Sequence, residues 1–458
     1  MVETQASEIK QWMVDNEITS VQIQTTNLDG TFIGKALSCE KFLGGLEQGY
    51  PFADIVFGND LGNFPVLGVA FPSWRGELDD IFLRPDLNTL CVWRPGVAAV
   101  IGDFWTQDGE PVSVCPRNLL RKVTAQAAEL GFGVKGAVEI EATIFEESVQ
   151  TARAKGYQGL TPLGGTAGSA YVLGKSADWR EYLEAVEQRL RSVGIAWEAW
   201  NDEAAAGQVE INVAVGDVVD VADRWARTRQ IMREVAYELG RTVTFMAKWS
   251  DAWGQASHVN LSLTDAEGNA FYSPDGASEV MEHFIGGVMA AMAGTTSIAL
   301  PFITSYRRLI PLEGPPTTVT WGHHNKTTAV RAVTGHPAYS RIEYRLPGSD
   351  SNVYLVAAAV AGAGLYGVIN HVQPPEPLAG MAWCRPESTG VELLPTTITQ
   401  AAAALEADKV LPEMLGEEFV RYWLGTRRWE WLAFHTMGGG DPDAGLTAWE
   451  SARYFELV

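Results

Sequence analysis

The chain has 458 residues, with 34 Lys or Arg against 56 Asp or Glu, a formal net charge of −22 and 46% hydrophobic residues. That length fits two domains, or one large α/β unit with an appendage. The charge argues against nucleic acid and anionic membrane as main partners, and an anionic substrate such as ATP would need its own local cations. Four scattered cysteines (Cys39, Cys91, Cys115 and Cys384) give neither a disulfide framework nor a thiolate zinc site. The opening MVETQASEIK lacks a basic-then-apolar signal pattern, so a soluble cytoplasmic protein is expected.

Up to about residue 105 the pattern predicts short strands and loops, beginning with alternation at Val21–Thr25 that runs into the hairpin turn Leu28-Asp29-Gly30. Val92–Pro95 closes another extended piece. A domain boundary falls near Pro111–Pro116, and a helix follows from about Arg117 to Leu130. Amphipathic spacing predicts helices over Ala177–Val193 and Val218–Gly240, with strands at Gly136–Phe145, Gln208–Val215, Ala256–Leu263 and Arg341–Leu346. Ser351–Asn370 lacks charges, but its Ala, Gly and Asn content predicts a buried core helix rather than a membrane span. The irregular alternation predicts an α+β fold with an antiparallel sheet.

Four strands carry the chemistry. Residues i and i+2 of a strand share a face. Glu139 and Glu141 therefore point together, as do His258, Asn260 and Ser262, and Arg341, Glu343 and Arg345; Glu210 lies on a similar strand with Glu203 just before it. Any one of these reads alone as the solvated face of a sheet. Four faces bearing Glu, His, Asn and Arg, where Thr, Lys or Ser is commoner, weigh against that. Two bare carboxylates about 5 Å apart repel by roughly 3 kcal/mol at an effective dielectric of about 20. Such a cluster must be protonated or hold cations, and Glu-rich ligation with one His and no thiol suits Mg²⁺ or Mn²⁺.

In this order, Glu139-Ile-Glu141, Glu203-Ala-Ala-Ala-Gly-Gln-Val-Glu210, Thr244-Phe-Met-Ala-Lys248, His258-Val-Asn-Leu-Ser262, Ser305-Tyr-Arg-Arg308, Trp321-Gly-His-His-Asn325-Lys326, Arg331 and Arg341-Ile-Glu343-Tyr-Arg345 resemble the glutamine synthetase superfamily. The resemblance implies an N-terminal β-grasp domain (residues 1–108) and a catalytic domain (109–458) with a funnel-like antiparallel sheet flanked by helices. It implies a homo-oligomer, a hexamer or dodecamer, and ATP with two or three Mg²⁺ or Mn²⁺ ions. Glu141, Glu203 and Glu210 would hold one ion, and Glu139, His258 and Glu343 another. Arg308 and Arg345 would grip glutamate's carboxylate and the transferred phosphoryl group, and the backbone of Gly254 would contact glutamate. Lys326 and Arg331 would steady the ATP phosphates, with Asn260 and Ser262 facing the nucleotide.

Departures from the family pattern point to the amine. Lys326 stands where Arg is usual, Asn260 replaces a second His, and Trp253 precedes Gly254 where a small Asn is typical. Glu313 lies one residue early in its loop, and Phe52-Ala-Asp54-Ile-Val-Phe57 is the nearest segment to the family's Asp-Gly-Ser-Ser. An ammonium pocket rewritten with bulk and apolar groups (Trp253, Phe52 or Phe57) predicts a γ-glutamylamide ligase that prefers a short alkylamine such as isopropylamine to ammonia. Glu313 and Glu203 are the candidate proton acceptors, and Asp54 or its neighbours would approach the next subunit's Glu203. The first alternative is an ordinary glutamine synthetase using ammonia; a catalytically silent relative is the second, opposed by the filled metal-ligand positions. Between Tyr366 and Tyr422 there is no tyrosine, so control by nucleotidylation of a Tyr there is not expected. His323 and His324 suit a polar loop, Trp423, Trp429 and Trp431 suit helix packing, and Cys384 has no base beside it in sequence.

Overall fold

The computed structural model describes residues 2–66, 78–165, 167–173, 176–383, 390–441 and 445–458; Cys384 lies outside them. The first element is a helix, Val2–Asp15, where short strands and loops were expected. Ile9 and Met13, one helical turn apart, are its buried face.

The N-terminal sheet comprises β1 (Ser20–Thr26), β2 (Phe32–Ser38), β3 (Tyr50–Ala53), β4 (Asp80–Pro85), β5 (Cys91–Arg94) and β6 (Val97–Trp105). Its order is β2-β1-β6-β4-β3, with β5 also on β6 and with β1 and β6 parallel. The predicted hairpin is β1–β2. In its turn the Asn27 side chain accepts from the backbone N–H groups of Asp29 and Thr31. Gly30 adopts φ +81°, and a Cβ there would lie 3.2 Å from the Trp225 ring. Glycine fits both demands.

The larger sheet begins with β7 (Gly133–Phe145), β8 (Trp197–Asp202), β9 (Gln208–Val213) and the short β10 (Gly216–Asp217). It continues with β11 (Thr242–Thr244), β12 (Val259–Asp265) and β13 (Gly268–Asn269), while β14 (Tyr272–Ser273) and β15 (Gly276–Ala277) form a separate small hairpin. β16 (Trp321–His323), β17 (Val330–Val333) and β18 (Arg341–Tyr344) complete it. The main order is β16-β17-β18-β12-β7-β9-β8, antiparallel except for the β16–β17 pair. β8, β16 and β17 carry too little alternation to be read in advance.

The helix Val353–Ile369 is buried almost throughout and packs against Glu279–Ala290 and Pro116–Glu129. A Cβ at Gly367 would lie 2.1 Å from the His283 carbonyl oxygen, so the first crossing needs bare backbone. The predicted α+β class is the one observed, with helices outside a curled sheet. Among the described residues no helix is long and apolar enough to cross a membrane. Trp423 is buried in the helix Glu417–Thr436, as packing required.

Arg117 joins the parts. Its guanidinium donates to Asp86, Asp103 and Asp223 at 2.8 Å each, and Tyr354 donates to Asp223 at 2.6 Å. Asp103 is on β6, Asp223 on the helix Val218–Glu238, and Arg117 on the helix leading into β7. Removing one member strands buried charge. Arg117→Ala should therefore destabilise the chain by about 3–5 kcal/mol. Denaturant unfolding checks this, and a loss under about 1 kcal/mol would mean the three aspartates are solvated rather than held.

Candidate active site

β7 alternates buried and half-buried residues up to Glu139 and is buried from Ile140 onward, where the sheet curls inward. On this stretch Glu139 and Glu141 share a face. Register then does the rest. Glu141 stands directly opposite Glu210 on β9. Glu343 on β18 lies opposite both Asn260 on β12 and Arg331 on β17. Glu203 opens the β8–β9 connection, its carboxylate accepting from Asn201 Nδ2 at 2.9 Å.

These strands close on a cavity of about 270 Å³ lined by Glu139, Glu141, Glu203, Glu210, Glu313, Glu343, His258, Arg308, Lys326, Arg331 and Arg345, with Trp253 and Gly254 on its wall. All six residues expected as metal ligands are there. A second cavity of about 370 Å³ takes Asn260, Ser262 and Arg341 and shares Glu139 with the first. Arg341 Nε donates to Asn260 Oδ1 at 2.9 Å. The two groups of residues expected to bind the nucleotide thus lie in neighbouring cavities that meet at one carboxylate.

The ligand atoms of Glu139, His258 and Glu343 all lie within 4.8 Å of one another. Oxygens about 2.1 Å from a Mg²⁺ ion are about 3–4.2 Å apart, so small side-chain shifts would bring this donor set onto one hard cation. His258 Nδ1 is 2.6 Å from Glu139 Oε2. Glu343 receives Arg331 Nη1 at 2.7 Å on one oxygen and Arg345 on the other. The other trio is more open and is fixed from outside. Glu141 accepts from Ala256 N at 2.6 Å and Gln208 Nε2 at 2.8 Å, and Glu210 accepts from Asn212 Nδ2 at 2.8 Å.

Burial pushes Glu139 up to about 7, and neighbouring Glu343 adds to the rise. Glu210 also goes to about 7, through burial first and Glu139 second. Glu141 is driven well above the usual carboxylate range by burial and then by Glu210 and Glu203. Burial raises Glu203 as well. Glu343 goes the other way, to about 2: burial would raise it, but His258, Arg345 and Arg331 pull it down. Burial, and then Arg345, keeps His258 well below its ordinary value, so its ring is neutral at pH 7 and the two guanidiniums carry the effect on Glu343. Burial likewise brings Arg308 down to about 10, still a cation, with Nη1 donating to the Leu346 carbonyl at 2.8 Å.

Two expectations, those on Phe57 and Asp54, are corrected. The Phe57 ring is buried edge-on against Phe104 at 5.4 Å, inside the N-terminal core, and cannot line an amine site. Phe52 is half-buried on the N-terminal sheet, packed on Phe104 and under Lys35 Nζ. Asp54 is buried in its own subunit, so any approach to a neighbour's Glu203 falls to other residues. Three residues on the page had been given no role. Gln208 Nε2 links Glu141 to the Gly254 carbonyl at 3.2 Å, Lys248 holds Glu313 at 2.9 Å, and Tyr171 lines the mouth. Gln208 and Lys248 stood inside the quoted motifs; Tyr171, at φ +64°, sits in a segment without periodicity.

Residues 113–444 match the family described as glutamine synthetase, catalytic domain. The chain is 31% identical to a glutamate–isopropylamine ligase of a Pseudomonas species, over 99% of this chain and 98% of that one. It is 32% identical to a γ-glutamylethanolamide synthetase, GlnA4, of Streptomyces coelicolor, over 96% and 94%. A solved GmaS/ADP complex superposes with a TM-score of 0.81 at 26% identity, covering 96% of this chain and 97% of that one.

Glu139 and Glu210 hold protons near pH 7 in the folded chain that the unfolded chain releases near its ordinary carboxylate value. Their contribution to stability is complete below about pH 4.5 and is lost as pH rises through about 7. The Tm of metal-free protein should therefore fall between about pH 5 and about pH 8, and the rise in Tm on adding Mg²⁺ should grow over the same interval as bound protons cease to compete. Thermal melts at several pH values check this; an Mg²⁺ increment larger in acid would refute carboxylate ligation.

Proposed function

The chain belongs to the glutamine synthetase family, as an ATP-dependent carbon–nitrogen ligase, and from that premise we propose that it joins the γ-carboxylate of L-glutamate to a small organic amine. The γ-carboxylate attacks the terminal phosphoryl group of ATP, ADP leaves, and a γ-glutamyl phosphate results. The amine then displaces phosphate, giving a γ-glutamylamide. The observation that carries the reading is the wall beside Gly254, where Trp253 lines the carboxylate cavity at 43% exposure. An alkyl group gains about 0.8 kcal/mol per methylene buried against such a surface, whereas ammonia gains nothing. The names of the two relatives, an isopropylamine ligase and an ethanolamide synthetase, favour the same class.

In this reading Glu139, His258 and Glu343 hold one divalent cation and Glu141, Glu203 and Glu210 another. Bound there, the cations would neutralise charge on the phosphoryl oxygens. The nucleotide occupies the cavity of Asn260 and Ser262, with its phosphates directed past the shared Glu139 toward Lys326 and Arg331. Arg308 and Arg345 receive the carboxylate and the developing phosphoryl charge. An alkylammonium has a pKa near 10.4, roughly that of Lys, so a base must take its proton beside the acyl phosphate. Glu203 and Glu313 are the candidates for that base, Glu203 beside its assigned cation and Glu313 paired with Lys248. By family analogy the working unit is a ring of six or a double ring of twelve.

The test is a panel of ammonia, ethylamine, isopropylamine, ethanolamine, putrescine and aniline, with phosphate release and amide mass followed together. A short monoalkylamine should exceed ammonia in kcat/KM; if ammonia is best, the protein is an ordinary glutamine synthetase. A second expectation separates site from scaffold. Glu210→Gln should abolish turnover yet raise the metal-free stability at about pH 8 by about 1–3 kcal/mol, because it removes a like charge facing Glu141. Paired activity and unfolding measurements check it, and a variant that keeps most turnover in Mg²⁺ would make Glu210 a surface carboxylate.

A further inference from the structure

Arg308 follows directly on the short helix Ile303–Arg307 and lines the carboxylate cavity from there. Its guanidinium rests on backbone, with Nη1 donating to the Leu346 carbonyl. The chain runs on from Leu346 as a buried stretch to Asp350, which has no exposed surface. There Asp350 turns back on the same short helix. Its Oδ2 accepts from Ser305 Oγ at 2.7 Å, with Thr304 Oγ1 at 3.5 Å, and Ser305 Oγ in turn accepts from Phe302 N at 3.0 Å. The stretch itself is held firmly. Ser349 N donates to the Gln255 carbonyl at 3.0 Å and Ser349 Oγ to the Glu141 carbonyl. Asn352 Nδ2 donates to the carbonyls of Asn27 and Leu28 in the N-terminal hairpin turn, at 3.1 Å each. Arg427, paired with Asp29 of that turn at 2.9 Å, donates to the Pro301 carbonyl just ahead of the helix.

We propose that Asp350 is a positioning residue for Arg308: from behind the cavity it holds the start of the helix that leads into Arg308, and its negative charge keeps that guanidinium aimed at the glutamate carboxylate and the phosphoryl group. The inference rests on the ligase reading above, which uses no atom of Asp350. A fully buried carboxylate is costly, and an Asn of the same shape would accept from Ser305 equally well. The charge is what separates the two. Burial pushes Asp350 up to about 6, and the Ser305 hydrogen bond and then Arg308 oppose the rise. Arg308 in turn feels two carboxylates, Glu141 first and Asp350 after it. Glu141 is committed to a cation once the site is loaded. Asp350 then remains as the buried negative charge that balances Arg308, at the moment when Arg345 beside it is drawn to the same substrate groups.

The test uses full-length protein with Mg²⁺, ATP and the best nucleophile of the panel, ammonia included. Asp350→Asn should raise KM for glutamate by about tenfold, since loss of alignment is costly at a reacting centre, while KM for ATP stays within about twofold. Stability should not follow activity. A carboxyl whose affinity for protons is raised by folding adds nothing to stability once pH passes through its folded value, so at about pH 8 D350N should melt no lower than wild type. A merely structural role predicts that Tm and activity fall together. In an Arg308→Lys background, D350N should change KM for glutamate by less than about twofold, because Asp350 acts through Arg308. Where that turnover is too slow to follow, calorimetric titration of the Mg²⁺-loaded proteins with L-glutamate gives the same comparison. Ser305→Ala releases the contact from the helix side and should raise KM for glutamate by about threefold or more; it serves as the test should D350N fail to fold. Wild-type kcat and KM in D350N, a Tm that falls with activity, or effects that simply add to those of R308K would overturn the inference while the ligase reading stands. If the wild type forms no amide with any nucleophile, the ligase reading fails, and calorimetry alone then judges Asp350: no glutamate binding, or equal binding by D350N, overturns its assignment too.

Discussion

Two glutamates face each other across neighbouring strands, Glu141 on β7 and Glu210 on β9, and the cavity is organised around that opposition. Like charges directly opposite destabilise a sheet. Here the pair is buried as well, with Glu203 and Glu139 close enough to raise it further. A sheet tolerates this only if the rest of the molecule holds the strands in register regardless. The helices over its outer surface, the crossing at Gly367 and the Arg117 cluster do so without contributing a residue to the cavity. The hydrogen bonds from Ala256 N, Gln208 and Asn212 then fix each carboxylate individually, so repulsion cannot be relieved by rotation.

The strands that carry chemistry were legible because alternation and function coincide in them. β7, β9, β12 and β18 each place apolar residues on one face and ligand-type residues on the other, so one pattern located both the element and its chemistry. The core helix was legible for the opposite reason, its lack of any polar face. β16 and β17 are three and four residues long, so too few side chains alternate to make a period. The first helix failed for a related reason: Ile9 and Met13 carry its burial within a largely polar sequence.

Convergence was a different matter. That four polar faces meet depends on strand order, and β18-β12-β7-β9 is not sequential, so no local pattern could give it. The ordered motifs supplied that information through resemblance alone. Where resemblance was weakest, in the N-terminal segment, the reading went astray. Phe57 and Asp54 looked available in sequence, but their short 3₁₀ turn folds both into the interior. The Lys248–Glu313 pair shows the same limit: the residues lie in separate motifs, and only their 2.9 Å contact reveals why Glu313 is not a free base.

The two halves of the carboxylate cluster are balanced differently, and this difference bears on how the site works. Glu343 is held ionised, with a guanidinium on each oxygen. Among the described residues Glu141, Glu203 and Glu210 have no such cation in contact, and each is pushed toward holding a proton. The chain thus balances Glu343 with its own arginines, while burial favours a proton on Glu139, Glu141, Glu203 and Glu210. Arg331 and Arg345 direct their charge at Glu343; in the proposed reaction they turn to a phosphoryl group once Glu343 has another partner. The protons on the other half must likewise leave before its oxygens can serve as ligands. A site built this way is suited to its substrates only after both exchanges. The charge needed for phosphoryl transfer is held in internal pairs until then, which keeps a chain with a net charge of −22 from carrying a bare anionic pit at its centre.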